Sequence, residues 1–130
     1  MVFMAKEIRV KKVASFIERE VSEIILNKLN DEGIKAMISV FSVELSNDLR
    51  HAKIKISINS DNEDEIKSTV KAIVRAKSFI RRSLGKSLKT MYVPEIWFEF
   101  INLSESMEIY EKLKEIEKEL KENDGGKNES

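Results

Sequence analysis

Between Ile66 and Thr90 the chain carries Lys67, Lys71, Arg75, Lys77, Arg81, Arg82, Lys86 and Lys89, and no acidic residue. Positions 67, 71 and 75, and again 82, 86 and 89, recur every three or four residues, the spacing that gathers side chains on one face of a helix. Like charges at that spacing repel one another, so a helical stretch with eight cations and no anion points to an external polyanion. Phosphates along a nucleic-acid backbone match such a row, and release of condensed counterions makes the binding favourable and salt-sensitive. Arginine adds a planar fork that grips phosphate in two places. The competing reading is a solvated helix face, since charged side chains are mostly exposed, but the complete absence of acids argues against it. A second basic group, Lys6, Arg9, Lys11 and Lys12, opens the first helical segment. Cations there oppose the helix dipole at a cost of some tenths of a kcal/mol, so a partner explains their position better than stability does.

Other chemistries lack their residues. There is no cysteine, and His51 is the single histidine, which leaves no thiolate nucleophile, no disulfide and no multi-histidine metal site. Glu95 and Glu99 have no companion base, and neither a G-x-x-x-x-G-K nor a G-x-G-x-x-G string occurs among the four glycines. We expect no enzyme activity, no metal, no cofactor and no small-molecule substrate. Trp97, Phe98 and Phe100 could stack on bases, but in a strand facing helices they are expected in the core. The 130 residues include 42% hydrophobic and 35% charged, with 23 basic and 23 acidic residues, which suits one domain with a heavily ionic surface. No apolar run approaches the roughly 18–20 residues needed to span a bilayer, and the N-terminus lacks the pattern of a secretory signal. A cytoplasmic monomer that does not bind membranes is expected.

The elements that must position these cations follow from hydrophobic spacing. Val10, Val13, Ile17, Val21, Ile24 and Leu29, widened by Phe16 and Ile25, predict a helix over 8–29, with Gly33 in its exit turn. Residues 35–45 are rich in β-branched types and predict a strand; Ser46-Asn47-Asp48 is turn chemistry; residues 52–58 alternate as a half-buried strand. A helix follows from Ser60-Asp61-Asn62 with Ile66, Val70, Ile73 and Val74 inward. Its apolar stripe meets Lys77, then resumes at Phe79, Ile80, Leu84 and Leu88, which predicts two helices meeting at a kink around Ala76–Ser78. Residues 92–100 read as a third strand that Pro94 confines to an edge, a start or a bulge. Residues 104–122 read as an acidic amphipathic helix on Ile109, Leu113, Ile116 and Leu120, and 123–130 as a disordered polar tail. The whole is a single α+β domain over 1–122, its core at about 6–103.

Several strings then fall in a familiar order: Lys12-Val-Ala; Val43-Glu-Leu-Ser-Asn-Asp-Leu49 followed by Ala52-Lys-Ile; Phe79-Ile-Arg81 with Leu84-Gly-Lys86; and Val93-Pro-Glu-Ile96 with Phe98. From about Met4 to Leu113 the chain resembles the bacterial ribosome-binding factor A family. The resemblance implies a type II KH-like αββααβ domain in which a helix–kink–helix carrying Ala-x-Gly replaces the usual Gly-x-x-Gly loop. Here that string is Ala76-Lys77-Ser78. The family's Arg-x-x-Arg-Val-Ala is Arg9-Val-Lys-Lys12-Val-Ala, its Asp-Pro-Arg is replaced around Asp31-Glu32-Gly33, and its aspartate after the third strand is Ile101. It further implies binding to the immature small ribosomal subunit and its rRNA, late maturation including 5′-end processing, and support of growth in the cold. The RNA-binding residues we assign are Arg9, Lys11, Lys12, Lys71, Arg75, Lys77, Arg81, Arg82, Lys86 and Lys89, with Ala76 and Ser78 at the kink. The alternatives are a protein-interaction module, using the 109/113/116/120 seam as a coiled-coil face, and a general RNA-binding protein without ribosomal specificity.

Overall fold

The computed structural model describes residues 2–88, 92–102 and 107–129, with side chains among these from Glu7 to Leu120. In order they form α1 (Val2–Glu23), a π-helical turn (Ile24–Lys28), β1 (Met37–Leu45), β2 (His51–Asn59), α2 (Glu63–Arg75), α3 (Lys77–Ser87), β3 (Glu95–Asn102) and α4 (Met107–Glu129). Lys89 lies outside the described residues.

The first helix begins six residues earlier than its apolar stripe suggests, because Val2–Lys6 contains no residue that breaks a helix. Arg9, Lys11 and Lys12 therefore sit beyond the first turn, and the dipole argument for a partner at that position falls away. At its other end the helix widens, the Leu29 N–H reaching the Ile24 carbonyl at 2.8 Å, and both Ile24 and Ile25 enter the core. The third strand starts at Glu95 and not at Tyr92, because Pro94 has no N–H to place in a ladder. Helix α4 runs through 123–129, the stretch expected as a disordered tail; no proline stands there to stop it.

The sheet order is β1-β2-β3, with β1 antiparallel and β3 parallel to β2. Ala52, Ile54, Ile56 and Ile58 on one face of β2 are fully buried. Ile54, Ile56 and Ile58 meet Ile17 and Val21 of α1, Ile66, Val70 and Ile73 of α2, and Ile80 and Leu84 of α3 in one core. Ile109, Leu113 and Ile116 of α4 join it, so the seam that could have taken a partner helix is occupied within the chain. The other sheet face is open and electrically balanced: Lys53 pairs with Glu99 at 3.4 Å and Lys55 with Glu44 at 3.0 Å.

Helix α2 opens on Asn62, whose side chain accepts the Glu65 N–H at 3.1 Å, with Glu63, Asp64 and Glu65 at the positive end of the dipole. It also anchors the loop leaving α1. Thr69 Oγ1 accepts the N–H groups of Lys35 and Ala36 at 3.1 and 3.0 Å, and Ser68 Oγ donates to the Gly33 carbonyl at 2.7 Å. Gly33 passes so close that a Cβ would stand 3.1 Å from Ala72 Cβ. Thr69 is fully buried, and an unsatisfied buried donor costs about 1–3 kcal/mol. Thr69→Val should therefore destabilise the fold by about that amount in urea unfolding, while Thr69→Ser should lose much less.

Candidate nucleic-acid interface

The cations of α2 and α3 are placed by a break at Ala76. That residue has φ −86° and ψ 3°, and its N–H is shared between the carbonyls of Ala72 and Ile73, each at 3.1 Å. The next helix begins with Ile80 N–H on the Ala76 carbonyl at 2.9 Å. Ala76 itself is buried between Ile73 and Ile80, Lys77 beside it is only partly buried, and Ile80 and Leu84 carry the buried stripe onward. No backbone there enters the left-handed region, and Ser78, the second residue of α3, stands where glycine is not required.

The cations divide into two sets. Lys67, Lys71, Arg75, Arg82 and Lys86 are exposed, opposite the buried faces of their helices. Lys77 and Arg81 instead turn toward β3. Lys77 Nζ lies 5.2 Å from the centroid of the Trp97 ring. Arg81 donates from Nε to the Pro94 carbonyl at 3.1 Å and from Nη2 to the Val93 carbonyl at 2.9 Å, with Glu95 Oε1 at 3.3 Å. Arg81 thus fastens α3 to the chain entering β3. Arg75 is also committed: its Nη2 lies 3.0 Å from both oxygens of Asp31. Lys67, Lys71, Arg82 and Lys86 form no ion pair among the described residues. On α1, Arg9, Lys11 and Lys12 are exposed as well, and Lys11, Lys12 and Arg19 flank a shallow recess of about 510 Å³ floored by Ile8 and Phe16.

Two aromatic placements depart from the sequence reading. Trp97 is 50% exposed, not core, because the strand alternation that sends Ile96 and Phe100 to the helices sends Trp97 to the open face. Tyr92, before the strand, is 60% exposed with the Arg50 guanidinium 5.5 Å from its ring centroid. Neither Tyr92 nor Arg50 stands out in sequence. The only hint is that Pro94 separates Tyr92 from the ladder.

An αββααβ order, a mixed three-stranded sheet and a broken helical crossover define a KH-like α+β domain. Within that class the chain belongs to the ribosome-binding factor A family, whose sequence model, described as "Ribosome-binding factor A", matches residues 9–116. Curated relatives under that name include one from Caldanaerobacter subterraneus subsp. tengcongensis, 37% identical over 120 residues, covering 92% of this chain and 95% of its own. Another, from Thermosynechococcus vestitus, is 44% identical over 96 residues, covering 73% and 75%. Among solved structures, the solution NMR structure of a Thermotoga maritima protein described as a ribosome binding factor A matches with TM-score 0.62 and 31% identity over 75% of this chain and 92% of that one. The crystal structure of ribosome-binding factor A from Thermus thermophilus shares the fold at TM-score 0.57 and 19% identity, over 69% and 93%.

The Asp31 carboxyl is held below its ordinary value first by the Gly33 N–H and then by Arg75. A carboxylate with a lowered native pKa stabilises the fold at pH above its unfolded value, and that contribution is lost as pH falls through the lowered one. Asp31→Asn should therefore lower the urea midpoint near neutral pH, and the gap from the parent should close as the pH drops below 3.8.

Proposed function

We propose that the protein binds the immature small ribosomal subunit through its rRNA and aids late maturation, including processing of the rRNA 5′ end and growth in the cold. The observation that carries the reading is the contrast in pairing. The sheet lysines are neutralised by Glu99 and Glu44, whereas Lys67, Lys71, Arg82 and Lys86 of the crossover helices are exposed without ion pairs among the described residues. The family supports it. So does the likeness in fold, at TM-score 0.52 and 19% identity over 65% of this chain and 87% of that one, to a Thermus thermophilus ribosome binding factor A model fitted into a cryo-EM map of a 30S–RbfA complex. Phosphate contacts of this kind position a protein without reading sequence, and a helix pair cannot enter the deep, narrow major groove of A-form RNA. Specificity then comes from the shape of a partly assembled subunit. The protein acts as a cytoplasmic monomer without catalysis, cofactor or small-molecule substrate. No helix among the described residues is long and apolar enough to cross a membrane. The protein-interaction alternative loses its main support, since Ile109, Leu113 and Ile116 are already buried.

Because Arg75 and Arg81 already have partners within the fold, the informative variant reverses Lys71, Arg82 and Lys86 together to Glu. It should keep the parent's unfolding transition, lose cosedimentation with free small subunits, and weaken binding to purified rRNA by at least about tenfold at low salt. The parent should cosediment with free small subunits and not with mature ribosomes. Its RNA affinity should fall steeply across a salt series, and the variant's log–log slope should be shallower by roughly 2. Undiminished cosedimentation of the variant would refute this surface as the contact.

A further inference from the structure

Where α3 passes the chain entering β3, Ser78, Arg81, Arg82, Gly85, Tyr92 and Val93 line a recess of about 480 Å³. We propose that this recess holds one unpaired nucleotide of the bound RNA, its base stacked on Tyr92 and its phosphate on Arg82 and the Ser78 hydroxyl. This rests on the RNA-binding reading above and adds to it a place where single-stranded, not duplex, RNA is recognised.

The walls are built, not incidental. Arg81 ties α3 to the carbonyls of Val93 and Pro94, which sets the distance between helix and strand entry. Gly85 lets the two approach: a Cβ there would stand 2.9 Å from Val93 Cγ2, so any side chain would crowd Val93 and close the recess. The Arg50 guanidinium stands over the Tyr92 ring, 5.5 Å from its centroid. Arg50 is itself anchored, since its carbonyl accepts the Glu95 N–H at 2.8 Å and its own N–H donates to Asp48 Oδ1 at 3.1 Å. The turn that delivers it contains Leu49 at φ 62°, a left-handed conformation that a leucine adopts only at a cost of about 1–2 kcal/mol.

The chemistry selects the ligand. An exposed aromatic ring suits a planar base, and base–aromatic stacking is sequence-tolerant because every base has a π-face. Arg82 has no ion pair among the described residues, and it lies one helical turn from both Ser78 and Lys86, so a phosphate at Ser78 and Arg82 continues the exposed cationic row. The volume falls in the range of roughly 300–1,000 Å³ usual for small-ligand sites. A base stacked inside a duplex cannot reach the ring, whereas a splayed one can. An acidic peptide would use the arginines but leave the ring idle.

The test uses the full chain and an RNA octamer bearing one 2-aminopurine, free or annealed to its complement. The single strand should bind with quenching of the 2-aminopurine. Tyr92→Leu should remove the quenching and weaken single-strand binding by about fivefold or more with duplex binding unchanged, and Tyr92→Phe should restore the quenching. Single-strand binding by Tyr92→Leu equal to the parent's would overturn the assignment, as would an equal loss of binding to poly-glutamate. Failure of the underlying reading looks different: reversing Lys71 and Lys86 to Glu would then leave both RNA forms bound as before.

Discussion

Strand β3 lies parallel to β2, so the chain leaving Asn59 must cross the sheet before it can pair again at Glu95. A tight turn cannot make that connection, and the crossover is the two helices α2 and α3. Because the crossover covers the buried face of β2, one side of each helix must be apolar, and every cation on it is forced outward or to the edge. Thus the same constraint that completes the sheet also displays the charge. At the break, buried Ala76 takes the place in the apolar stripe between Ile73 and Ile80 and leaves Lys77 at its margin.

Charge pairing divides the molecule by face. On the open side of the sheet, cross-strand neighbours bring Lys53 to Glu99 and Lys55 to Glu44, and the Glu44 carboxyl is held low by Lys55 while the Lys55 ammonium is raised by Glu44. Such exposed pairs add little stability, but they leave that face without net attraction for a polyanion. The crossover helices contribute no carboxylate after Glu65, and Lys67, Lys71, Arg82 and Lys86 form no ion pair among the described residues. Two arginines of the same run serve the fold instead, Arg75 on the loop after α1 and Arg81 on the entry to β3. A charge count treats all eight alike; the structure separates Arg75 and Arg81, paired within the domain, from Lys67, Lys71, Arg82 and Lys86, which form no ion pair among the described residues.

The aromatic residues sort by strand geometry. Phe100 is buried and Phe98 packs against the core, while Trp97 emerges on the other face under Lys77. Its groove, about 400 Å³, is also lined by Leu120 and Glu117 of α4, and the Glu117 carboxylate accepts the Phe100 N–H at 3.3 Å. The C-terminal helix therefore closes part of the exposed edge of β3, a row of backbone groups that would otherwise invite another strand, besides filling the core with Ile109, Leu113 and Ile116.

Much of the fold was legible in the chain itself, because it is written in local periodicity: the alternation at 52–58, the stripe from Ile66 to Val74, its interruption at Lys77 and its resumption at Ile80. The family strings and the eight-cation run were equally readable, and the run located the candidate surface without coordinates. What local pattern does not carry is which side chains meet across long sequence separations. Asp31 and Arg75 are 44 residues apart and Arg50 and Tyr92 are 42, and neither pair has a signature that spacing could expose. Composition alone places Trp97 in the core, because an aromatic stretch is hydrophobic whichever way it points, and only the register against β2 decides which of Trp97, Phe98 and Phe100 faces water. Residue type and spacing determined where cations would gather; the packing of loop, turn and strand entry against the helices decided which of them were left to act.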